Sequence, residues 1–159
     1  MKKITLALLF TSVGYAQVEF NKVEYFTASV IADPYASAKE KGLLIGAEIE
    51  YVGLVYTRVG ITHFSKLKDG YTDAIVGIGI NLTSGYFGEV RYYAGGRIGV
   101  IKRQATNATA GAEAGIDFKV NETLFVGVRG TLDYRSDQEF YDGENGMIPS
   151  GFIRVGFKF

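Results

Sequence analysis

The sequence predicts an all-β fold, an eight-stranded antiparallel up-and-down transmembrane β-barrel that begins after the first sixteen residues. Three observations predict it. Apolar and polar residues alternate with a period of two through most of the chain, which is typical of strands with one apolar face. Turn-forming residues divide this alternation into eight runs. Longer and shorter connections follow one another, as in barrels with turns on one side of a membrane and loops on the other.

The first sixteen residues have the pattern of a cleavable export signal. Two lysines precede an apolar run, residues 4–13, which is too short to span a bilayer. Gly14 and Ala16 then supply small residues at the two positions that a signal peptidase reads. We therefore expect residues 1–16 to be a Sec-type signal peptide and residues 17–159 to form one β-barrel domain.

Charge and cysteine content exclude several classes of function. The chain has 17 basic and 17 acidic residues, and the predicted signal peptide contains two of the lysines and no acid. The mature chain is then slightly acidic, without the basic surface that nucleic acid requires. The absence of cysteine excludes disulfides and thiolate metal sites. We expect no nucleic-acid partner and no cofactor.

The eight predicted strands are bounded by glycine, asparagine, serine and proline. Pro34 lies in a connection and Pro149 at a strand start, both of which a sheet tolerates. The long fifth strand could bend at Gly95-Gly96, and no helix is predicted after residue 16. The strands cover residues 22–32, 42–51, 54–64, 71–82, 86–101, 108–120, 123–134 and 149–159.

The predicted connections alternate in length. Short ones follow strands two, four and six, at residues 52–53, 83–85 and 121–122. Longer, more polar ones follow strands one, three and seven, at residues 33–41, 65–70 and 135–148. The connection after strand five, residues 103–107, is expected to be only slightly longer than the turns. This arrangement places both termini on the short-turn, periplasmic side.

The distribution of glycine predicts which face of the strands lines the interior. Ten glycines lie on the polar face of the predicted strands, and only four lie on the apolar face. The interior of an eight-stranded barrel is just wide enough for side chains. We therefore expect the glycine-rich polar face inside and the bulky aliphatic face against lipid. A soluble barrel would need the reverse.

Charged residues on the polar face are equally divided between acids and bases. Buried charges are tolerated only when they are paired and hydrogen-bonded. The equal numbers therefore predict a paired network that fills the lumen. Its fourteen members are Glu48, Glu50, Arg58, Asp73, Glu89, Arg91, Arg97, Glu113, Asp117, Lys119, Arg129, Asp133, Arg154 and Lys158.

Aromatic residues mark the ends of the predicted strands. Amphipathic rings at this depth are typical of the two girdles at lipid headgroups. Tyr134 lies at the loop side of its strand. The residues at the periplasmic side are Tyr51, Tyr86, Phe118, Phe157 and Phe159.

The end of the chain carries the most specific resemblance. Residues 153–159, Ile-Arg-Val-Gly-Phe-Lys-Phe, resemble the C-terminal signal by which the barrel-assembly machinery recognises its clients. The whole mature chain resembles the small eight-stranded outer-membrane barrels, the OmpX-like, OmpW-like and OmpA-transmembrane-like families. This resemblance implies Sec-dependent export to the outer membrane of a Gram-negative bacterium. It also implies that the assembly machinery reads Phe157 and Phe159.

His63, the only histidine, suggests an alternative. At a spacing of two, His63 and Ser65 share the lipid-facing side of their strand. This His-x-Ser resembles the lipid A 3-O-deacylase family, in which the two residues act as base and nucleophile. That family follows its serine with asparagine, whereas this chain has Lys66, and Asp73 belongs to the lumen face. A polar strand end at the headgroup level explains the pair more simply.

The sequence thus favours a non-enzymatic outer-membrane β-barrel with a charge-filled lumen. Such a barrel would anchor surface loops for adhesion or interaction with an extracellular ligand. A lipid A-modifying acyl hydrolase using His63 and Ser65 is the alternative, and a narrow channel is a third hypothesis that the balanced lumen disfavours. The acidic segment 137–144 does not match the EF-hand spacing and is expected to be a solvated loop.

Overall fold

A computed structural model describes residues 18–19, 24–64, 70–84, 90–103, 105–136 and 147–159. These residues form strands and one short helix, α1, Pro34–Lys39. The strands are β1, Val18–Glu19; β2, Tyr25–Ala32; β3, Leu44–Val52; β4, Val55–Phe64; β5, Tyr71–Ser84; β6, Val90–Lys102; β7, Thr106–Lys119; β8, Leu124–Arg135; and β9, Met147–Lys158.

Strands β2 to β9 form a closed antiparallel barrel. Each pairs with the next along the chain, and β9 pairs with β2 to close the ring. The two-residue β1 adds to β5. The predicted fold class, an eight-stranded up-and-down β-barrel, is therefore confirmed, and each predicted strand overlaps an observed one. Closure pairs each barrel strand with a neighbour on both sides, and β1 adds to the part of β5 that extends beyond its ladder with β4.

The two faces of the barrel differ in burial and chemistry. Along β4, exposed and buried residues alternate without exception. The exposed face carries large aliphatic side chains such as Ile49, Ile61 and Ile98, which are 60%, 56% and 65% exposed. The buried face carries arginines, carboxylates and glycines. A barrel with apolar residues outside and charges inside is suited to lipid and not to water.

Glycines inside the barrel lie beside the long charged side chains. Arg58 on β4 pairs with Gly77 on β5, and Gly77 pairs with Arg97 on β6. A Cβ on Gly77 would come within 2.8 Å of Glu113 Oε1, in the middle of the lumen. The glycine face therefore provides the space into which neighbouring charged side chains extend.

The prediction of no helix after residue 16 is wrong, because α1 follows β2. Asp33 caps its first turn by accepting a hydrogen bond from Ala36 N at 2.8 Å, and Pro34 occupies the start of the helix. Both are favoured helix-start residues, but six residues are too few for a visible helical period. In the described ranges, no helix is long and apolar enough to cross a membrane.

The ends of the barrel are named here by their connections. The turn end contains residues 53–54 and 120–123, and the loop end contains residues 33–43, 103 and 105. The expectation that residues 103–107 form a slightly longer loop is wrong, because the β6–β7 ladder continues to Lys102 and Thr106. The ladders on both sides of β6 are also unbroken at Gly95 and Gly96.

Candidate functional site

The barrel interior holds a dense group of buried charges. Eleven of the fourteen predicted lumen residues are buried there, although most charged side chains in proteins are solvated. Glu89 lies outside the described residues. The buried residues are five arginines, Arg58, Arg91, Arg97, Arg129 and Arg154, and six carboxylates, Glu48, Glu50, Asp73, Glu113, Asp117 and Asp133.

Lys119 and Lys158 differ from the prediction, because neither is buried in this network. Lys119 is exposed and donates a hydrogen bond of 2.8 Å to Glu122, which lowers the pKa of Glu122. The Lys158 ammonium lies 4.1 Å from the centre of the Tyr25 ring. Both lysines are at the turn end, where a long flexible side chain can reach water.

Arg154 is the most enclosed of the charged residues, with no exposed surface. Its guanidinium donates to Glu50 at 2.8 Å and to Asp117 at 3.1 Å. It also donates to the Tyr93 hydroxyl at 3.0 Å. These groups come from β9, β3, β7 and β6 and therefore link strands on different sides of the barrel.

Two further arginines share the carboxylates that Arg154 contacts. Arg58 donates to Glu50 at 3.2 Å and to both oxygens of Glu113 at 3.0 Å. Arg91 donates to Glu50 and, at 3.1 Å, to Asp117. Glu50 thus contacts three arginines, which together compensate its negative charge.

The network continues toward the loop end through further ion pairs, which Glu48 and Glu113 connect to the rest. Arg129 donates to Glu48 at 2.6 Å, and Arg97 lies 3.1 Å from Asp133. Asp73 has hydrogen-bond donors of its own, the Tyr71 hydroxyl at 2.7 Å and the Thr62 amide at 3.2 Å. A Leu44, Phe64, Tyr71 and Ile101 cluster packs above these residues. These apolar side chains lie at the loop ends of the adjacent strands β3 to β6.

Aromatic side chains inside the barrel are part of the same network. Tyr56 and Tyr93 meet edge to face, with ring centres 5.6 Å apart. Arg58 lies 5.1 Å and 5.0 Å from these two ring centres, and the Tyr56 hydroxyl donates to Glu113 at 2.6 Å. Neither tyrosine was predicted to line the lumen. Each lies two residues from an arginine of the lumen face, Arg58 or Arg91, and this spacing is the signal that indicates them.

A small cavity remains at the turn end. It has a volume of about 60 Å³ and is lined by Tyr25, Thr27, Arg91 and Lys158, among others. A cavity of this size can hold water. The described residues contain no group of three acidic or histidine side chains that could hold a metal ion. The acidic segment 137–144 lies outside the described residues.

His63 lies on the exterior at the loop end, as the alternation of side chains along β4 predicts. It is exposed, and its Nδ1 lies 3.0 Å from the Thr72 hydroxyl on β5. Ser65 and Lys66 lie outside the described residues. Asp73 is buried on the lumen side of β5. The hydrogen-bonding neighbour of the His63 ring is therefore the Thr72 hydroxyl.

Aromatic side chains group at the turn end on the exterior. Phe26 packs against Tyr51 and Phe159, with ring centres 5.4 Å and 6.3 Å apart. Phe118 and Phe157 are also exposed there. Tyr86 lies outside the described residues, and Tyr134 is 41% exposed toward the loop end of β8. The turn-end group provides rings at the depth expected for one girdle.

A closed barrel with charges inside and aliphatic residues outside defines the class as a small membrane β-barrel. No protein-family model matches the chain, and no curated protein is similar to it in sequence. The N-terminal β-barrel domain of Pseudomonas aeruginosa OprF matches its structure with a TM-score of 0.62 and 15% identity, covering 87% of this chain and 99% of that domain.

Two other solved structures share the architecture. A de novo designed transmembrane β-barrel matches with a TM-score of 0.61 and 13% identity, covering 89% of this chain and all of the design. Neisserial surface protein A matches with a TM-score of 0.52 and 13% identity, covering 85% and 95% of the two chains. The chain therefore has the fold of the small eight-stranded outer-membrane β-barrels.

Proposed function

We propose that the protein is a non-enzymatic outer-membrane barrel that anchors surface loops for adhesion or interaction with an extracellular ligand. The observation that carries the proposal is the combination of an aliphatic exterior with a buried, internally paired set of charges. Such a barrel is stable in lipid, and its filled interior does not form a path for solutes. The connections at the loop end are then the part available to a partner.

The C-terminal residue has a place in this proposal. Phe159 and Phe26 exchange two backbone hydrogen bonds of 2.9 Å and 3.0 Å, at the seam where the last barrel strand meets the first. A terminal aromatic at the seam supports the hypothesis that the barrel-assembly machinery reads Phe157 and Phe159 during insertion. In this proposal, residues 1–16 direct Sec-dependent export and are removed before insertion.

Outer-membrane fractionation tests the location. The parent protein should separate with outer membranes and run at a different apparent mass on a gel when left unheated, because a closed barrel resists unfolding by detergent. Heated and unheated samples of one preparation are compared, and the heated sample is the control. Recovery in the soluble periplasmic fraction, without a heat-shifted band, would refute the location.

Surface labelling tests the anchor role. An epitope inserted within residues 137–146 should be labelled by antibody on intact cells, whereas one inserted at 120–123 should be labelled only after the cells are opened. Residues 137–146 come between β8 and β9 in the chain, and residues 120–123 come between β7 and β8, so the proposed orientation assigns the two insertions to opposite sides of the membrane. Equal labelling of both insertions on intact cells would contradict the predicted orientation.

Planar-bilayer recording tests the channel alternative. We expect no steady ion conductance from the folded parent protein, because arginines and carboxylates fill the interior and neutralise one another. A known outer-membrane porin in the same bilayer is the positive control. Stable, ion-selective openings from the parent protein would establish that it is a channel. They would also contradict the proposal that charged side chains block its interior.

A further inference from the structure

Two ionisable side chains other than tyrosine lie on the exterior face of the described barrel strands, His63 on β4 and Lys102 on β6. The rest of that face is aliphatic, aromatic, small or hydroxyl-bearing. Neither residue belongs to the lumen network. Their occurrence on a surface that otherwise excludes charge calls for a physical reason, because a charged side chain that faces lipid is costly.

The strand register brings these two residues close together. His63 pairs with Thr72, Thr72 pairs with Lys102, and Lys102 pairs with Thr106. Adjacent strands are about 4.8 Å apart, so the backbones of His63 and Lys102 are separated by about 10 Å. His63, Thr72, Lys102 and Thr106 therefore form one continuous line across four strands, here called the loop-end polar row.

The loop-end polar row lies directly above the aliphatic surface. One step down each strand on the same face are Ile61, Ala74 and Val100, all exposed. A lysine on the lipid face is costly at the bilayer midplane, whereas near the interface its cost is small. The row is thus placed where the hydrocarbon surface ends and lipid headgroups begin.

The chemistry of the row is cationic and donor-rich. The Thr72 hydroxyl and His63 Nδ1 are 3.0 Å apart, which holds the imidazole ring against β5. The Lys102 side chain is exposed, and the exterior face of the described strands carries no carboxylate to neutralise it. An ammonium and hydroxyls spaced over about 10 Å complement the oxygens of a phosphate group.

We propose that the loop-end polar row binds the phosphate of a lipid headgroup in the outer leaflet, with Lys102 as the main charge and Thr72 and His63 as hydrogen-bonding groups. The inference rests on the proposed membrane location. Charge complementarity selects an anionic lipid over a neutral one, because the exterior face of the described barrel strands carries no acidic side chain that would repel it. The turn end differs, since the exterior face of the described barrel strands carries aromatic rings and no cation there, while Lys119 and Lys158 belong to the lumen face of their strands.

Lipid retention in mixed bilayers tests the inference. The folded protein is placed in nanodiscs of phosphatidylcholine with a minor fraction of phosphatidic acid, and the lipids that remain bound are counted by native mass spectrometry. We expect the parent to retain phosphatidic acid in preference to phosphatidylcholine. Lys102→Ala should reduce that preference about five-fold, the typical effect of one basic residue at an anionic surface.

Matched variants separate this site from general effects of charge. Lys119→Ala removes an exposed lysine from the turn end and should retain the parent's preference. Lys102→Arg should restore most of the preference that Lys102→Ala loses, and Thr72→Val should weaken it with no change in net charge. Every variant is first checked for the heat-shifted band in pure phosphatidylcholine, so that loss of folding is not mistaken for loss of binding.

Equal retention of the two lipids by the folded parent would overturn the inference, as would an unchanged preference in folded Lys102→Ala. A normal heat-shifted band in the same samples would leave the barrel and its membrane location intact. Absence of that band in the parent would instead refute the proposed location and the inference that rests on it. The two failures are therefore distinguishable in one set of samples.

Discussion

Replacement of Arg154 by alanine is expected to lower the free energy of unfolding by about 3–5 kcal/mol, because it leaves Glu50 and Asp117 buried without one of their shared cations. Arg154 has no exposed surface, so water cannot easily replace the lost guanidinium. The measurement is denaturant unfolding of the refolded protein in lipid vesicles. The heat-shifted gel band reports the folded fraction.

Lys119→Ala is the matched control for this prediction. It also removes one cation from the lumen face of a strand, but Lys119 is exposed and its ammonium pairs with the solvated Glu122. We expect little or no change in stability, because exposed ion pairs contribute little. Equal losses in the two variants, or a stable Arg154→Ala barrel, would show that the interior charges do not act as a connected network.

Replacement of Gly79 by valine is the second change with a large expected effect. A Cβ at this position would lie 2.6 Å from Gly95 Cα and 2.7 Å from Tyr56 Cε1, and it would also collide with the Ala94 carbonyl. Two of these obstacles are backbone atoms that cannot rotate away. We expect destabilisation of about 3 kcal/mol or more, or failure to form the closed barrel.

Gly130→Val is the control, because its side chain would enter an open surface. Gly130 faces the exterior of β8, and nothing lies within 4 Å of an added Cβ. Its stability should stay within about 0.5 kcal/mol of the parent, as for most surface substitutions. Folding yields and heat-shifted bands of both variants give the comparison. A well-folded Gly79→Val barrel would contradict the close packing described for the interior.

The sequence alone was sufficient to predict the barrel fold and the face to which its side chains point. Successive side chains along a strand point to opposite faces, so the position of a residue in this alternation sets whether it points inward or outward. This rule needs no knowledge of neighbouring strands. It placed Arg58 and Arg154 inside and His63 outside, in agreement with the burial of each. The helix Pro34–Lys39 was not predicted, because its sequence signal lies in two residues, Asp33 and Pro34, and not in a helical period of apolar residues.

The partners of these residues depended on the tertiary structure. Arg154 and Glu50 are 104 positions apart and meet only because closure brings β9 and β3 to the two sides of β2. His63 and Lys102 become neighbours only through the register of β5. Parity is a local property of one strand, whereas the pairing of charges is set by strand order, stagger and the width of the closed ring. For that reason the eleven buried charges of the lumen could be predicted from the chain, but their network of contacts could not.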